Sequence, residues 1–274
     1  MVTTSGTQAK ARRGRPAKAQ PLAVFEQNIA DAERLILLGQ TLQNERKRGM
    51  RRERREAISN AVRTSKRDRE LLDIAENDDV LIVFKPSSRC LAQHFEEGQL
   101  RPLLRQAVVA IAAAVESYVA EKSKGYVAEA CKAPEPPKRL LEIRLTVEDL
   151  LSIERRYERR QWGHYALVWE YLDQLASANP DSIGKAFSVV GKSGIWKKVD
   201  ARRGVKPGES ERQLDSLAKR RDRIAHTGDR RGGGKAAIDA NEVGAYLANA
   251  RAIVEALEEV LVQSWMRCVS RGPC

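Results

Sequence analysis

The residues best suited to chemistry lie in one short segment, Arg220-Arg221-Asp222-Arg223-Ile224-Ala225-His226. The chain has 3 histidines, and His94 and His164 have no acid–base companion nearby in sequence. His226 does. An imidazole ordinarily titrates at about pH 6.5, so it can pass a proton near neutrality. A guanidinium presents a planar fork that suits phosphate oxygens. Together they could move a proton and stabilise negative charge on a phosphodiester without a metal, provided the nucleophile is a hydroxyl of the substrate.

Helical spacing limits how these side chains meet. At about 100° per residue, Asp222 and His226 stand one turn apart on one face, where the carboxylate could orient the imidazole. Arg221 lies roughly 140° round the helix from His226. To share a phosphate they need a long reach, a helix end between them, or a second subunit. The Thr227-Gly228 that follows predicts a helix end.

The elements expected to carry this segment are helices. Ala, Leu, Glu, Arg and Lys are abundant and aromatic residues make up 5% of the chain, a mixture that favours helix. A nearly all-apolar helix is predicted from about Leu100 to Lys122, at the centre of a bundle. Glu116 stands out on it as a candidate to orient the site, with a structural pairing to an arginine as the competing reading. Pro134, Pro136 and Pro137 mark a linker. Thr146 and Asp149 read as a capped helix start, and Trp162 to Leu175 as a packed helix ending before Asn179-Pro180. A helix from about Glu209 ends near His226, and Gly232-Gly233-Gly234 separates it from a last helix running to about Met266.

With that layout in place, Arg221 to His226 resembles the Arg-x4-His signature of the HEPN superfamily, and Asp222 stands at the polar position that commonly follows the arginine. The helix from Leu103 to Val119 and the final helix after the glycine-rich loop are similar to those of the RiboL-PSP-HEPN and related groups, so the resemblance covers about residues 100 to 265. It implies an all-α, HEPN-like bundle that forms a homodimer, with Arg221 and His226 of both subunits at one RNA-cutting cleft. It further implies 2′,3′-cyclic phosphate and 5′-hydroxyl ends, no cofactor or metal, and a toxin or antiviral role with an antitoxin or other defence partner. Arg220, Arg223, Arg230 and Arg231 are the candidate RNA-contacting residues around it.

Ahead of residue 100, the expectation is a basic disordered tail over residues 1–20 and a helical extension over 21–99, with the HEPN-like domain spanning 100–268. Phe25, Ile29, Leu35, Ile36 and Leu42 supply a helical apolar stripe within a pattern that reads as helical to Ala75. Val80 to Phe84 reads as a strand or an extended segment, too little to infer a sheet. The tail contains Arg13-Gly14-Arg15-Pro16, which resembles the AT-hook core that enters the A·T minor groove. A second reading follows, a non-catalytic adaptor that binds DNA through this tail.

Charge fits either reading. With 49 Lys and Arg against 37 Asp and Glu, the net charge is +12 and the pI is near 9.7, which favours polyanionic partners. The 4 cysteines lack a paired Cys-x-x-Cys, so neither a zinc site nor a disulfide framework is indicated. The basic N-terminus lacks an apolar region after it, and Leu103 to Val119 is short for a bilayer span. The expectation is a cytoplasmic protein without a membrane partner. A phosphate loop at Gly191-Lys192-Ser193 is rejected because Ala186 occupies the place of the first required glycine.

Overall fold

The computed structural model describes residues 20–43, 70–73, 81–84, 101–156 and 160–269. The long central helix sets the architecture. This helix, α2 (Arg101–Gly125), buries Leu104, Ala107, Val108, Ile111, Ala112, Val115, Tyr118 and Val119. Apolar residues at so many helical phases cannot be covered by one neighbour, so helices pack around it. It is long and apolar enough to cross a membrane by composition, and most of its apolar face is inside the bundle.

Ahead of it, α1 (Pro21–Gln43) carries Phe25, Ile29, Ala32 and Ile36 at helical spacing. This stripe packs on α2, with the rings of Phe25 and Tyr118 edge to face at 6.0 Å. The α1 stripe is thus part of the main core. The Tyr118 hydroxyl donates to Glu258 at 2.8 Å, and Lys122 pairs with the same carboxylate at 2.6 Å. Burial, with the Glu258 charge beside it, pushes the Tyr118 hydroxyl far above the usual phenol range.

Between α1 and α2, strands β1 (Glu70–Asp73) and β2 (Leu81–Phe84) pair antiparallel, with Glu70 opposite Phe84. This corrects the helical reading to Ala75. Glu70-Leu71-Leu72-Asp73 suits a helix by propensity, but the facing Leu-Ile-Val-Phe run draws it into a ladder, a pairing partner overriding local preference.

After α2 come α3 (Val127–Lys132), α4 (Lys138–Leu141), α5 (Val147–Arg156) and α6 (Arg160–Leu175). The Thr146 hydroxyl accepts the Asp149 N–H at 3.1 Å while Asp149 accepts the Thr146 N–H at 2.7 Å, a reciprocal cap that starts α5. Two short helices follow, α7 (Pro180–Val189) and α8 (Ile195–Arg203). Asn179 caps α7 through the Asp181 N–H at 2.8 Å.

Helix α9 (Glu209–Thr227) carries the candidate chemistry. The buried Asp200 of α8 starts it, accepting the N–H groups of Gly208 at 2.6 Å and Ser210 at 3.0 Å. Leu214 and Leu217 then turn one face into the core against α2. A small hairpin, β3 (Arg230–Arg231) and β4 (Gly234–Lys235), leads to α10 (Ala240–Val269). Helix α10 is started by Asp239 accepting the Glu242 N–H at 2.8 Å, and it buries Val243, Leu247, Ile253, Leu257 and Leu261. The described residues form a helical bundle around α2, with minor β-hairpins.

Candidate active site

The end of α9 is defined by local chemistry. Gly228 adopts φ 59°, a left-handed conformation that costs glycine little. Its N–H donates to the Ile224 carbonyl at 3.1 Å, and the Asp229 N–H reaches the Arg223 carbonyl at 2.9 Å. The Thr227 hydroxyl also donates to Arg223 O, at 2.7 Å. With these last carbonyls satisfied, the chain turns away and leaves His226 exposed in the final turn. Among the described residues, none hydrogen-bonds its imidazole. With respect to the described residues, both ring nitrogens are open to a substrate.

Arg221 is held very differently. It is half-buried, with Nη2 3.5 Å from Glu116 Oε1 on α2 and Nη1 donating to Asp222 Oδ1 at 3.0 Å. Glu116 is itself fixed, because Oε1 accepts the Ala178 N–H at 3.3 Å ahead of α7. Glu116 thus orients Arg221 and at the same time forms the structural arginine pair that the sequence left as the competing reading. Asp222 departs from the expectation: its carboxylate takes a hydrogen bond from Arg221, and no hydrogen bond links it to His226. The adjacent guanidinium is the stronger donor.

The structure therefore brings Arg221, Asp222 and Glu116 together and sets His226 apart. Five positions along α9 correspond to about 7.5 Å of rise and a rotation of roughly 140°. Within one chain the guanidinium faces α2 while the imidazole faces solvent.

Arg220 is a clear correction. Expected among the RNA-contacting arginines, it is only 6% exposed. Its Nη2 lies 3.0 Å from Asp229 Oδ2 and donates to the Ala237 carbonyl at 2.6 Å. Its position on α9 turns it inward, where Asp229 and the Ala237 carbonyl take up Nη2, while Nε is buried without a hydrogen-bond partner among the described residues. Arg223 and Arg230 are exposed near His226 in sequence, as an RNA contact would require. The Arg231 side chain and the tetrapeptide Arg13-Gly14-Arg15-Pro16 lie outside the described residues. Among the described residues no group of three or more His, Cys, Asp or Glu side chains is placed to hold a metal ion.

Sequence reasoning missed Asp229 and the role of Arg105. Arg105 Nε donates to Asp229 Oδ2 at 3.0 Å, and its Nη2 donates to the Ala236 carbonyl at 2.7 Å. One signal was available. Arg105 and Glu116 interrupt an apolar helix eleven residues apart, three turns and nearly one face. Glu116 holds α9 through Arg221, and Arg105 holds the chain just after it through Asp229 and Ala236.

Comparison with known proteins adds one finding. The RiboL-PSP-HEPN family model matches residues 63–263 of the chain. No curated protein matches significantly, and neither does any solved structure.

Proposed function

Because this chain belongs to the RiboL-PSP-HEPN family, whose membership carries a nuclease- or RNA-related function in general, we propose that it is a metal-independent endoribonuclease. Arg221 and His226 are its catalytic residues, and a second copy of the chain completes the site. One observation carries the reading: His226 stands exposed at a helix end with no hydrogen-bond partner among the described residues, five residues after an arginine that two carboxylates hold in place.

The reaction follows from the groups. The RNA 2′-hydroxyl attacks the adjacent phosphorus, forming the 2′-O–P bond as the P–O5′ bond breaks. The 2′-hydroxyl proton leaves to a base and a proton is delivered to the departing 5′-oxygen. His226 serves these transfers, and Arg221 stabilises the extra charge on the phosphorane-like transition state. Products carry 2′,3′-cyclic phosphate and 5′-hydroxyl ends. Glu116 limits the motion of the guanidinium, so less ordering remains when substrate binds.

Dimerisation answers the geometric problem. A two-fold axis near the end of α9 would bring one protomer's imidazole to its partner's guanidinium, since an isologous contact places the same helix twice at one cleft. A toxin or antiviral role, restrained by an antitoxin or other defence partner, is the setting we propose for such an activity.

A second reading has its own observation. Glu116 and Asp222 neutralise much of the Arg221 charge, which suits a non-catalytic nucleic-acid adaptor. The test is to incubate purified protein with total RNA in excess chelator. Cleavage to cyclic-phosphate ends by the wild type, lost in both Arg221→Ala and His226→Ala, supports the enzyme. RNA binding without cleavage, or cleavage that persists in both variants, rejects it.

A further inference from the structure

The hairpin that follows His226 opposes two cations. Arg230 stands directly across from Lys235 in the β3–β4 pair, and both side chains are exposed. Facing like charges destabilise a ladder, and so short a hairpin is marginal alone. Gly232, at φ 61°, supplies the first central residue of its turn, as a II′ turn requires. Among the described residues neither cation has an acidic partner.

Something else must hold this hairpin, and the structure shows what. Asp229, 1% exposed, receives both the Arg105 and the Arg220 guanidinium on Oδ2, each at 3.0 Å. The same two arginines donate to Ala236 O and Ala237 O, while the Ala236 N–H returns to Asp229 O at 2.8 Å. The base of the hairpin is thereby closed from both sides. This clamp is costly: Asp229 sits at φ 63°, and its Oδ1 and Arg220 Nε are buried without a hydrogen-bond partner among the described residues. Left-handed non-glycine backbone and an orphaned buried acceptor are retained where the fold over-determines a position.

We propose that Asp229 is a positioning residue that locks the 230–235 hairpin as an arm gripping RNA phosphates beside His226. Two adjacent exposed cations with no carboxylate partner among the described residues match a backbone that carries one negative charge per nucleotide, and a seated phosphate relieves their repulsion. The proposal rests on the ribonuclease reading for where the substrate lies. Arg105 and Arg220 act through Asp229, and Arg230 and Lys235 touch the substrate.

The test uses the full chain and a 2′-O-methyl RNA oligonucleotide, which lacks the attacking hydroxyl and cannot be cut. Asn tolerates left-handed backbone as Asp does, so Asp229→Asn removes the charge and keeps the turn. Asp229→Asn and the pair Arg230→Ala/Lys235→Ala should each weaken binding about tenfold. The triple variant should bind no more weakly than the pair alone, because the carboxylate works through those two cations. Amide hydrogen exchange over 230–236 should rise in Asp229→Asn while α2 keeps its protection.

Additive losses, unchanged binding in Asp229→Asn, or unchanged exchange in the hairpin would each overturn the proposal. If Asp229→Asn fails to fold, Arg105→Met/Asp229→Asn removes one of the two cations left unpaired, and the same comparison is made in that background. Arm-dependent binding by a protein that cleaves no RNA would sink the ribonuclease reading and keep the arm. Cleavage by a protein whose binding ignores Asp229, Arg230 and Lys235 would do the reverse.

Discussion

At the scale of residues, the proposed reaction uses one exposed group, His226, and one group held by its neighbours, Arg221. His226 is exposed at a helix end, so truncating it removes proton transfer without opening the core. His226→Ala should lower kcat by about 100-fold or more and leave the melting temperature unchanged; a matching loss of thermal stability would point to a structural histidine instead. Glu116 should behave as a support. Glu116→Gln keeps its shape but loosens the hold on Arg221, and a fall in kcat on the order of tenfold with little change in KM is expected. Steady-state kinetics on one defined RNA checks it, and an unchanged kcat would remove Glu116 from the site. Arg221 and His226 could be picked out from the chain alone because their spacing is local. Asp229 could not, since Arg220 meets it only across the turn that ends α9 and Arg105 lies 124 positions away, so only tertiary structure joins the three.

At the scale of elements, α9 depends on its start as much as on its end. Burial opposes ionisation of Asp200, but hydrogen bonds from Ser210 and Gly208, with the Arg203 charge beside it, outweigh that and hold its carboxyl below the usual range. A carboxyl with a depressed folded pKa contributes stability that is complete above its unfolded value, about 3.9, and is lost as pH falls through the folded value. Asp200→Ala should therefore cost about 2 kcal/mol near pH 7, as loss of a helix cap does. Its deficit relative to wild type should shrink below about pH 4. Denaturant titrations at pH 7 and pH 3 measure this, and an equal deficit at both would contradict it. The long helices were readable because their apolar periodicity runs for many turns, as in α2 and α10. Helices α7 and α8 were not drawn from the sequence: at 10 and 9 residues they are too short to be stable alone, and burial of Ile183, Phe187, Ile195 and Val199 sustains them. Strand β1 hid for the opposite reason, a helix-compatible segment recruited by its partner.

At the scale of the whole molecule, the bundle presents each half of the proposed chemistry on a different side of α9. One chain offers a guanidinium toward α2 and an imidazole toward solvent, so the proposed reaction needs two copies to act on one phosphodiester. Family membership and the all-helical fold are shown, and the order of helices was visible in the sequence once Arg221 to His226 had been recognised; the two-copy site itself is the proposal. The most direct measurement mixes inactive Arg221→Ala protein with inactive His226→Ala protein, allows subunits to exchange, and follows RNA cleavage in chelator. Half of the dimers become mixed, each with one intact pairing of Arg221 and His226, so cleavage should return to about a quarter of the wild-type rate. A mixture as inactive as its two parents, with exchange verified and the wild type active, would contradict the composite site.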